Sequence, residues 1–411
     1  MTDESLPVDY ADIERARERL VEEVAKPTPV EQSTSLGERV DAEVYLKLEH
    51  LQWTGSFKTR GAYNKIVQDV ERGVDEFVAA SAGNHAQGVA FAATTCGASA
   101  TVFMPENAPQ AKVDATRGYG GSVELVDGDF QETLSHAQSA AEERGAEFVH
   151  AYDDTDIIAG QGTLGIEMYH DASGVDTVVV PIGGGGLVSG VSTAIKHLSP
   201  ETRVIGVQAT GAETVHESLD KGFPVTLDDV DTIADGIATG GISETTFQII
   251  QENVDEVVTV SDTEIATAIL FLMERAKQVV EGAAAASVAA ILRDDVDVSG
   301  ETVMPLLCGG NLDMTQLQTV LVHALTRRQK ILRLRVRIDD RPGKMHHISG
   351  IIAEKGANIH DVRHDRSVDD LDIGQADLVF RVEASGVEHA QSIIEAVEAA
   401  GYPVENLAVS R

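Results

Sequence analysis

An alternation restricts the fold of this chain more than any other feature. From about residue 10 to residue 325, short β-branched and aliphatic runs take turns with alanine-rich amphipathic stretches. The runs are "AEVYLKLEH" (42–50), "EFVAAS" (76–81), "SATVFMP" (99–105), "SVELVD" (122–127), "DTVVVPI" (176–182), "TRVIGVQA" (202–209), "DEVVTV" (255–260) and "TVMPLLC" (302–308). Between them lie segments such as "NHAQGVAFAATTCG" and "TEIATAILFLMERAKQVV", which carry helical spacing. Strands that take turns with helices build parallel sheets covered by helices, so the pattern predicts an α/β fold.

Near residue 330 the texture changes. "QKILRLRVRIDDRPGKMHHISGIIAEKGANIHDVRHDR" opens with strict alternation at Ile331, Leu332, Leu334, Val336 and Ile338, which suits a half-buried antiparallel strand. A helical stretch, "NIHDVRHDR", "ADLVFRVEA", a helix through "AQSIIEAVEAA" and a last short strand follow. This β-α-β-β-α-β order predicts a small ferredoxin-like domain, with the boundary expected between residues 328 and 329. Charge supports it: residues 331–411 hold 10 basic and 14 acidic side chains, net −4, which leaves −31 of the total −35 for the first 330.

That net charge sets limits on partners. A surface so acidic repels nucleic acid and anionic lipid. Its acids are spread along the chain, as expected for a surface adapted to high salt, where repulsion is screened over short distances. No apolar run approaches a membrane span. "MTDESLPVDY" has no apolar core, so no signal peptide is expected. Cys96 and Cys308 form neither a metal spacing nor a disulfide framework. The expectation is a cytoplasmic protein with no nucleic-acid or membrane partner and no metal site.

"TVVVPIGGGGLVSGVSTAIKHL" (177–198) is a strand, four glycines and an apolar helix. Gly183, Gly184, Gly185 and Gly186 lack Cβ atoms, so consecutive N–H groups can curl around one anion at the positive end of a helix. The group expected there is a phosphate. The dinucleotide fingerprint is matched only loosely, since "GVQAT" stands where an acidic residue should end the next strand, and no G-K-[ST] follows for a P-loop. A second feature narrows the choice. "SFKTRG" (56–61) places Lys58 at the start of a helix, in a chain with 11 lysines against 21 arginines. A phosphate cup together with a specially placed lysine suggests pyridoxal phosphate held covalently. Such a cofactor needs further partners. "SAGNHAQG" (81–88) joins a strand to a helix, so the N–H groups from Ala82 through Gly83 and Asn84 to His85 are expected free for a substrate carboxylate, with Ser81 beside them. Asn84 can donate to a ring oxygen. In "LLCGGN" (306–311), Cys308 can face the ring nitrogen. Taken singly, the first loop reads equally as a helix cap and the cysteine as a small core residue.

"SFKTRGA", "SAGNHAQG", "GGGGL" and "CGGN", in this order, resemble the threonine dehydratase branch of the fold-type II pyridoxal-phosphate enzymes. The resemblance covers roughly residues 10 to 325. It implies two three-layer lobes with parallel sheets, the smaller, at about 50–150, inserted in the larger. It implies that Lys58 is the Schiff-base lysine, that Phe57 packs beside the ring and that Asn84 contacts the ring oxygen. Gly183 to Gly186 and Leu187 would cradle the phosphate, and Cys308 would stand at the ring nitrogen. The terminal segment resembles an ACT domain, which implies an amino-acid effector near Asp340, Pro342, Gly343 and Asn358. A ligand-free dimerisation module is the other reading of that segment. Relatives form dimers or tetramers, so a homo-oligomer is expected.

The reaction so implied is elimination from a β-hydroxy amino acid, with the freed Lys58 amine removing the α-proton. Serine racemases share the scaffold and need a serine immediately before the Gly-Asn-His; here that residue is Ala82, which holds no transferable proton. At the racemase-type divalent-metal position, "GVQATGAET" carries Gln208 and Thr214 in place of carboxylates, which leaves room only for a monovalent cation held by carbonyls. Glu281, in the apolar "VVEGAAA", is expected to support the site. Alternatives are a serine dehydratase, an enzyme acting on hydroxy-aspartate, and an amino-acid-sensing protein built on a dead enzyme.

Overall fold

The computed structural model describes residues 6–20, 23–172, 174–368 and 370–407. The first five residues of the acidic N-terminal stretch lie outside them. The chain divides into two compact units, Met1–Asp313 and Met314–Arg411. The helix Met314–Arg327 thus goes with the second unit, ahead of the boundary expected at 328/329.

In the first unit, β1 (Val30–Gln32) pairs antiparallel with β2 (Glu43–Lys47). The chain then leaves this sheet to build a second one from β3 (Glu76–Ala80), β4 (Ser99–Pro105), β5 (Ser122–Val126) and β6 (Glu147–Phe148), in the order β5-β4-β3-β6 and wholly parallel. It returns as β7 (Thr177–Pro181), β8 (Arg203–Ala209), β9 (Glu256–Val260) and β10 (Thr302–Pro305). The larger sheet runs β1-β2-β10-β7-β8-β9, parallel from β2 onward. β7 is buried at all five positions, as a strand covered on both faces must be.

The eight runs in the sequence correspond to β2–β5 and β7–β10. β1 and β6, three and two residues long, are too short to leave a pattern. β10 ends at Pro305 rather than at Cys308; Leu306 and Leu307 still bond to β7 and β2, and from Cys308 the chain turns to pair with Ser56 and Phe57. The helix expected through Val280 stops earlier. Asp262–Phe271 passes into a π-turn, Leu272–Ala276, and Lys277 closes it with φ +59°. A left-handed residue cannot continue the helix, and residues 278–281 turn back toward the strand ends instead. Gln278 there bonds His50, and the Glu281 N–H donates to the Gly309 carbonyl.

The second unit contains β11 (Ile331–Asp339), β12 (Asn358–Asp365), β13 (Gln375–Glu383) and β14 (Val404–Asn406), in the antiparallel order β12-β13-β11-β14. Helices Lys344–Glu354 and Val387–Ala399 complete the β-α-β-β-α-β order. Leu332, Leu334, Val336 and Ile338 of β11 point into one apolar core with Ile348, Ile352 and Phe380. Among the described residues, no helix of either unit is long and apolar enough to cross a membrane.

Candidate active site

Lys58 begins the helix Lys58–Glu71, and backbone pairing fixes its place. Ser56 bridges to Gly309, and the Phe57 N–H donates to the Cys308 carbonyl at 3.2 Å. The lysine is thereby set beside a cysteine 250 positions later in the chain. Behind it stands an ionic cluster in which Lys47, Glu49 and Arg60 are buried while Glu167 and Asp171 keep an edge in solvent. Arg60 Nε donates to Glu49 Oε1 at 2.7 Å and Nη1 to Glu167 Oε1 at 2.6 Å. Lys47 Nζ reaches Glu167 at 2.9 Å and Asp171 at 2.7 Å. Charges removed from water persist only when paired this closely, and the cluster ties the first turn of the Lys58 helix to the helix Thr155–Asp171.

The Lys58 side chain keeps part of its surface open to a cleft but is walled on most sides. Its Nζ donates to the Ala151 carbonyl at 2.9 Å and lies 5.1 Å from the centre of the Phe57 ring. Burial pushes its pKa down to about 8, against the opposing pull of Cys308 and Glu281. An amine so poised exchanges protons readily near neutral pH.

The helix Asn84–Thr95 leans directly on this lysine. A Cβ on Gly88 would stand 3.0 Å from the Lys58 carbonyl carbon, so a side chain there would press the two helices apart by a few tenths of an ångström. The residues before this helix, Ser81 to Gly83, therefore come to the same cleft. One expected donor is already engaged: the Gly83 N–H donates to Ser81 Oγ at 3.1 Å. Asn84 Nδ2 donates to Glu281 Oε1 at 2.8 Å, and Asn84 Oδ1 accepts from Asn311 Nδ2 at 2.7 Å. Asn311 also donates to the Thr54 carbonyl at 2.7 Å. Burial raises the Glu281 carboxyl to about 7, although the Asn84 hydrogen bond favours its charged form. His85 Nε2 meets the Val149 carbonyl at 2.9 Å, and burial followed by the charge on Lys58 pushes its imidazole down to about 3. Burial, with Glu281 as second cause, raises the Cys308 thiol well above its ordinary value, so it stays neutral.

The tetraglycine turn joins β7 to the helix Gly186–Leu198, with Leu187 buried in its first turn. Gly185 has φ +92°, and a Cβ on Gly184 would lie 2.3 Å from three atoms of the Tyr152 ring. No side chain fits either place, and the first N–H groups of the helix have no partner within it. Tyr152 follows Ala151, whose carbonyl holds Lys58. A two-residue segment therefore has the Lys58 amine on one side and the glycine turn on the other.

Sequence reasoning brought together Phe57, Lys58, Ser81 to His85, Gly183 to Leu187 and Cys308, and the fold gathers their segments around one cleft. It missed Ala151, Tyr152 and Asn311. Asn311 stands inside the "CGGN" motif and could have been found there. "HAYDD" (150–154) is irregular backbone with no repeat or motif to mark it. At the racemase-type metal position, the Gln208 side chain spans its own loop, accepting from the Thr214 and Val215 N–H groups at 3.0 and 2.9 Å and donating to the Ala212 carbonyl at 3.2 Å. Among the described residues no group of three or more metal-ligating side chains occurs.

In the second unit Asp340, Pro342 and Gly343 share the loop after β11. Arg366 Nε donates to Asp340 at 2.6 Å, and Gly343, with φ +91°, opens the next helix. Asn358 is not with them. It pairs with Glu383, as Ile331 does, whereas the loop follows Asp339 at the far end of the sheet. Eight residue steps of strand, from Ile331 to Asp339, span about 26 Å, so within one chain no single amino acid touches both.

The residues around Lys58 fit a phosphate-bearing aldehyde: a glycine turn closed to side chains, a lysine amine that sheds its proton readily, and a neutral thiol. Comparison with known proteins agrees. The family described as "Pyridoxal-phosphate dependent enzyme" matches residues 21–309, and the ACT domain family matches residues 332–401. An L-threonine ammonia-lyase of Geobacter sulfurreducens is 43% identical over 400 residues, covering 97% of this chain and 99% of that protein. One from Thermotoga maritima is 43% identical over 401 residues, with the same coverage. Among solved structures, threonine deaminase isoform 2 of Solanum lycopersicum is similar with a TM-score of 0.73 at 35% identity, over 77% of this chain and 89% of that one. Maize serine racemase is similar with a TM-score of 0.73 at 33% identity, over 78% and 99%.

Proposed function

This chain belongs to the pyridoxal-phosphate-dependent enzymes and ends in an ACT domain, and from that premise we propose that it is an L-threonine ammonia-lyase. The reaction converts L-threonine to 2-oxobutanoate and ammonia. The observation that carries the reading is the Lys58 amine, held by Ala151 next to the residue that packs on the glycine turn.

When bound, pyridoxal phosphate supplies an electron sink for negative charge developing at the substrate Cα. Lys58 would carry it, the turn at Gly183–Gly186 with Leu187 would hold its phosphate, and Phe57, Asn84 and Cys308 would surround its ring. Substrate carboxylate would lie at the start of the helix Asn84–Thr95, where the N–H groups of Ala82, Asn84 and His85 answer it. Once the substrate amine has taken its place, the freed Lys58 Nζ, with its pKa lowered to about 8, takes the proton from Cα. Hydroxide departs from Cβ, so the elements of water are lost, and hydrolysis of the released enamine gives the oxo acid and ammonia. Cys308 stays neutral and does not force a proton onto a ring nitrogen, which disfavours lasting negative charge at Cα. Ala82 offers no proton to the substrate, which favours elimination over racemisation.

The terminal domain, from residue 329, would bind an amino-acid effector at Asp340, Pro342 and Gly343. Asn358 would have to come from a second copy, in keeping with a homo-oligomer. We also place the enzyme in the cytoplasm.

Steady-state assays with L-threonine, L-serine and D-serine test this reading. It expects 2-oxobutanoate and ammonia from L-threonine at the highest kcat/KM. Protein that takes up no pyridoxal phosphate and releases no ammonia from any of the three would overturn it.

A further inference from the structure

The irregular stretch between β6 and the helix Thr155–Asp171 does more than connect them. Four successive residues of it bind different parts of the cleft. The Val149 carbonyl meets His85 Nε2 at 2.9 Å, and the Ala151 carbonyl accepts from Lys58 Nζ at 2.9 Å. Tyr152 places its ring under Gly184, while its Cβ is 3.0 Å from where a Cβ on Gly186 would stand. Irregular backbone of this kind keeps its shape only if its own polar groups are satisfied. The fourth residue, His150, does this from within. Its Nδ1 accepts from the N–H groups of Tyr152 at 3.3 Å and Asp153 at 2.8 Å, and its ring lies edge-to-face against Tyr152 at 4.8 Å between centres.

We propose that His150 is a positioning residue: the lone pair on its Nδ1 holds the 150–153 turn, and that turn sets the Ala151 carbonyl against Lys58 and the Tyr152 ring against the tetraglycine loop. An imidazole whose Nδ1 accepts carries its proton on Nε2. Imidazolium has no lone pair at all, so protonating His150 would point an N–H at two others and release the turn. The charged and titratable groups facing it are Lys58 and His85 from the two neighbouring helices, with Asp153 and Asp154 on its own segment. Burial, helped by Lys58 and opposed by the two aspartates, lowers its pKa and keeps it neutral in the working range. The inference rests on Lys58 being the reactive amine, and it makes that amine's setting depend on a side chain that touches neither substrate nor cofactor.

Two variants test it, each measured by kcat/KM against pH and by spectrophotometric titration of the apoenzyme with pyridoxal phosphate. His150→Asn keeps an acceptor that can serve i+2 and i+3 N–H groups but cannot take a proton. It should stay within about threefold of wild type at pH 8 and lose the acid limb that lies below the ordinary imidazole range. Any limb near 7, where burial places the Glu281 carboxyl, should remain. His150→Leu should lose about tenfold to a hundredfold in kcat and bind pyridoxal phosphate more weakly in the titration. Nitrogen NMR of selectively labelled histidine should find Nδ1 of His150 unprotonated in the full-length wild type. If His150→Leu does not fold, His150→Asn decides alone: an unchanged acid limb overturns the proposal, as does a His150→Leu enzyme with wild-type profile and cofactor affinity. A wild type that takes up no cofactor would instead sink the functional reading itself.

Discussion

In the first 313 residues Lys47, Glu49, Arg60, Lys65, Asp69, His85 and Glu281 are all buried, while in the terminal unit the one buried charged side chain among the described residues is Asp377. The first unit has brought ionisable groups inside, at a cost in desolvation, and spends many hydrogen bonds to keep them there. The terminal unit closes a sheet and two helices over an apolar core and leaves its candidate ligand loop at the edge. The difference follows from what each surface has to do. Proton transfer to and from carbon needs groups whose pKa values are displaced, and displacement needs burial. Recognition of a small zwitterion at a loop needs neither.

Four substitutions would sharpen or break this contrast. The largest effect is expected from Lys58→Ala, which should lower ammonia release by more than about a thousandfold while the far-ultraviolet circular dichroism stays native; residual turnover above that level would remove Lys58 from its role. Next is Glu281→Gln. The Glu281 carboxyl titrates at about 7 when folded, against an ordinary 4.5, so the folded state holds an extra proton between those values. Stability from this group is therefore fully present below about 4.5 and falls by roughly 3 kcal/mol as the pH rises to about 7. Urea unfolding at a series of pH values should show that fall in wild type and a flatter curve in the glutamine variant, which is the more stable above pH 7. An equal slope in both would mean that Glu281 is not buried as described.

A smaller effect is expected in the terminal unit. Arg337 Nε donates to Asp377 at 3.0 Å, and Arg335 lies 3.8 Å away. Asp377→Asn keeps the shape and weakens charge-assisted bonds to half-exposed arginines, so thermal unfolding should show a loss of about 1–2 kcal/mol. Ammonia release should not change. The smallest effect belongs to Arg381→Ala. Its bond to Asp361 at 3.1 Å is open to solvent on both sides, and its removal should shift stability by less than about 0.5 kcal/mol. If Arg381→Ala cost more than Asp377→Asn, burial would not be what separates the two units.

How much of this was legible beforehand depended on how local each feature is. β4 was readable to the residue, because seven residues of apolar strand lie between clear turn signals. β11 was readable for another reason: its period of two survives in a strand buried on one face only. The helix expected through Val280 was too long because an apolar stretch with helical spacing does not announce that Lys277 will turn left-handed. The boundary at 328/329 followed the change of periodicity, whereas the helix Met314–Arg327 joins the terminal unit by packing, which periodicity does not report. In the site, glycine, lysine and asparagine residues were found because their motifs are contiguous. Ala151 acts through a backbone carbonyl, which every residue possesses, and so leaves no mark in the sequence.

Eight of the ten strands of the first unit, the presence of a second unit and the four motif loops were legible in the sequence alone, since periodicity, turn residues and missing Cβ atoms act over a few neighbouring positions. The pairing of Asn84 with Glu281 and Asn311, the displaced proton affinities of Lys58 and Glu281, the turn held by His150 and the separation of Asn358 from Asp340 were decided by the tertiary structure. Each depends on groups distant in the chain and on how much water their packing excludes, and an electrostatic interaction has no strength until that distance and that burial are set.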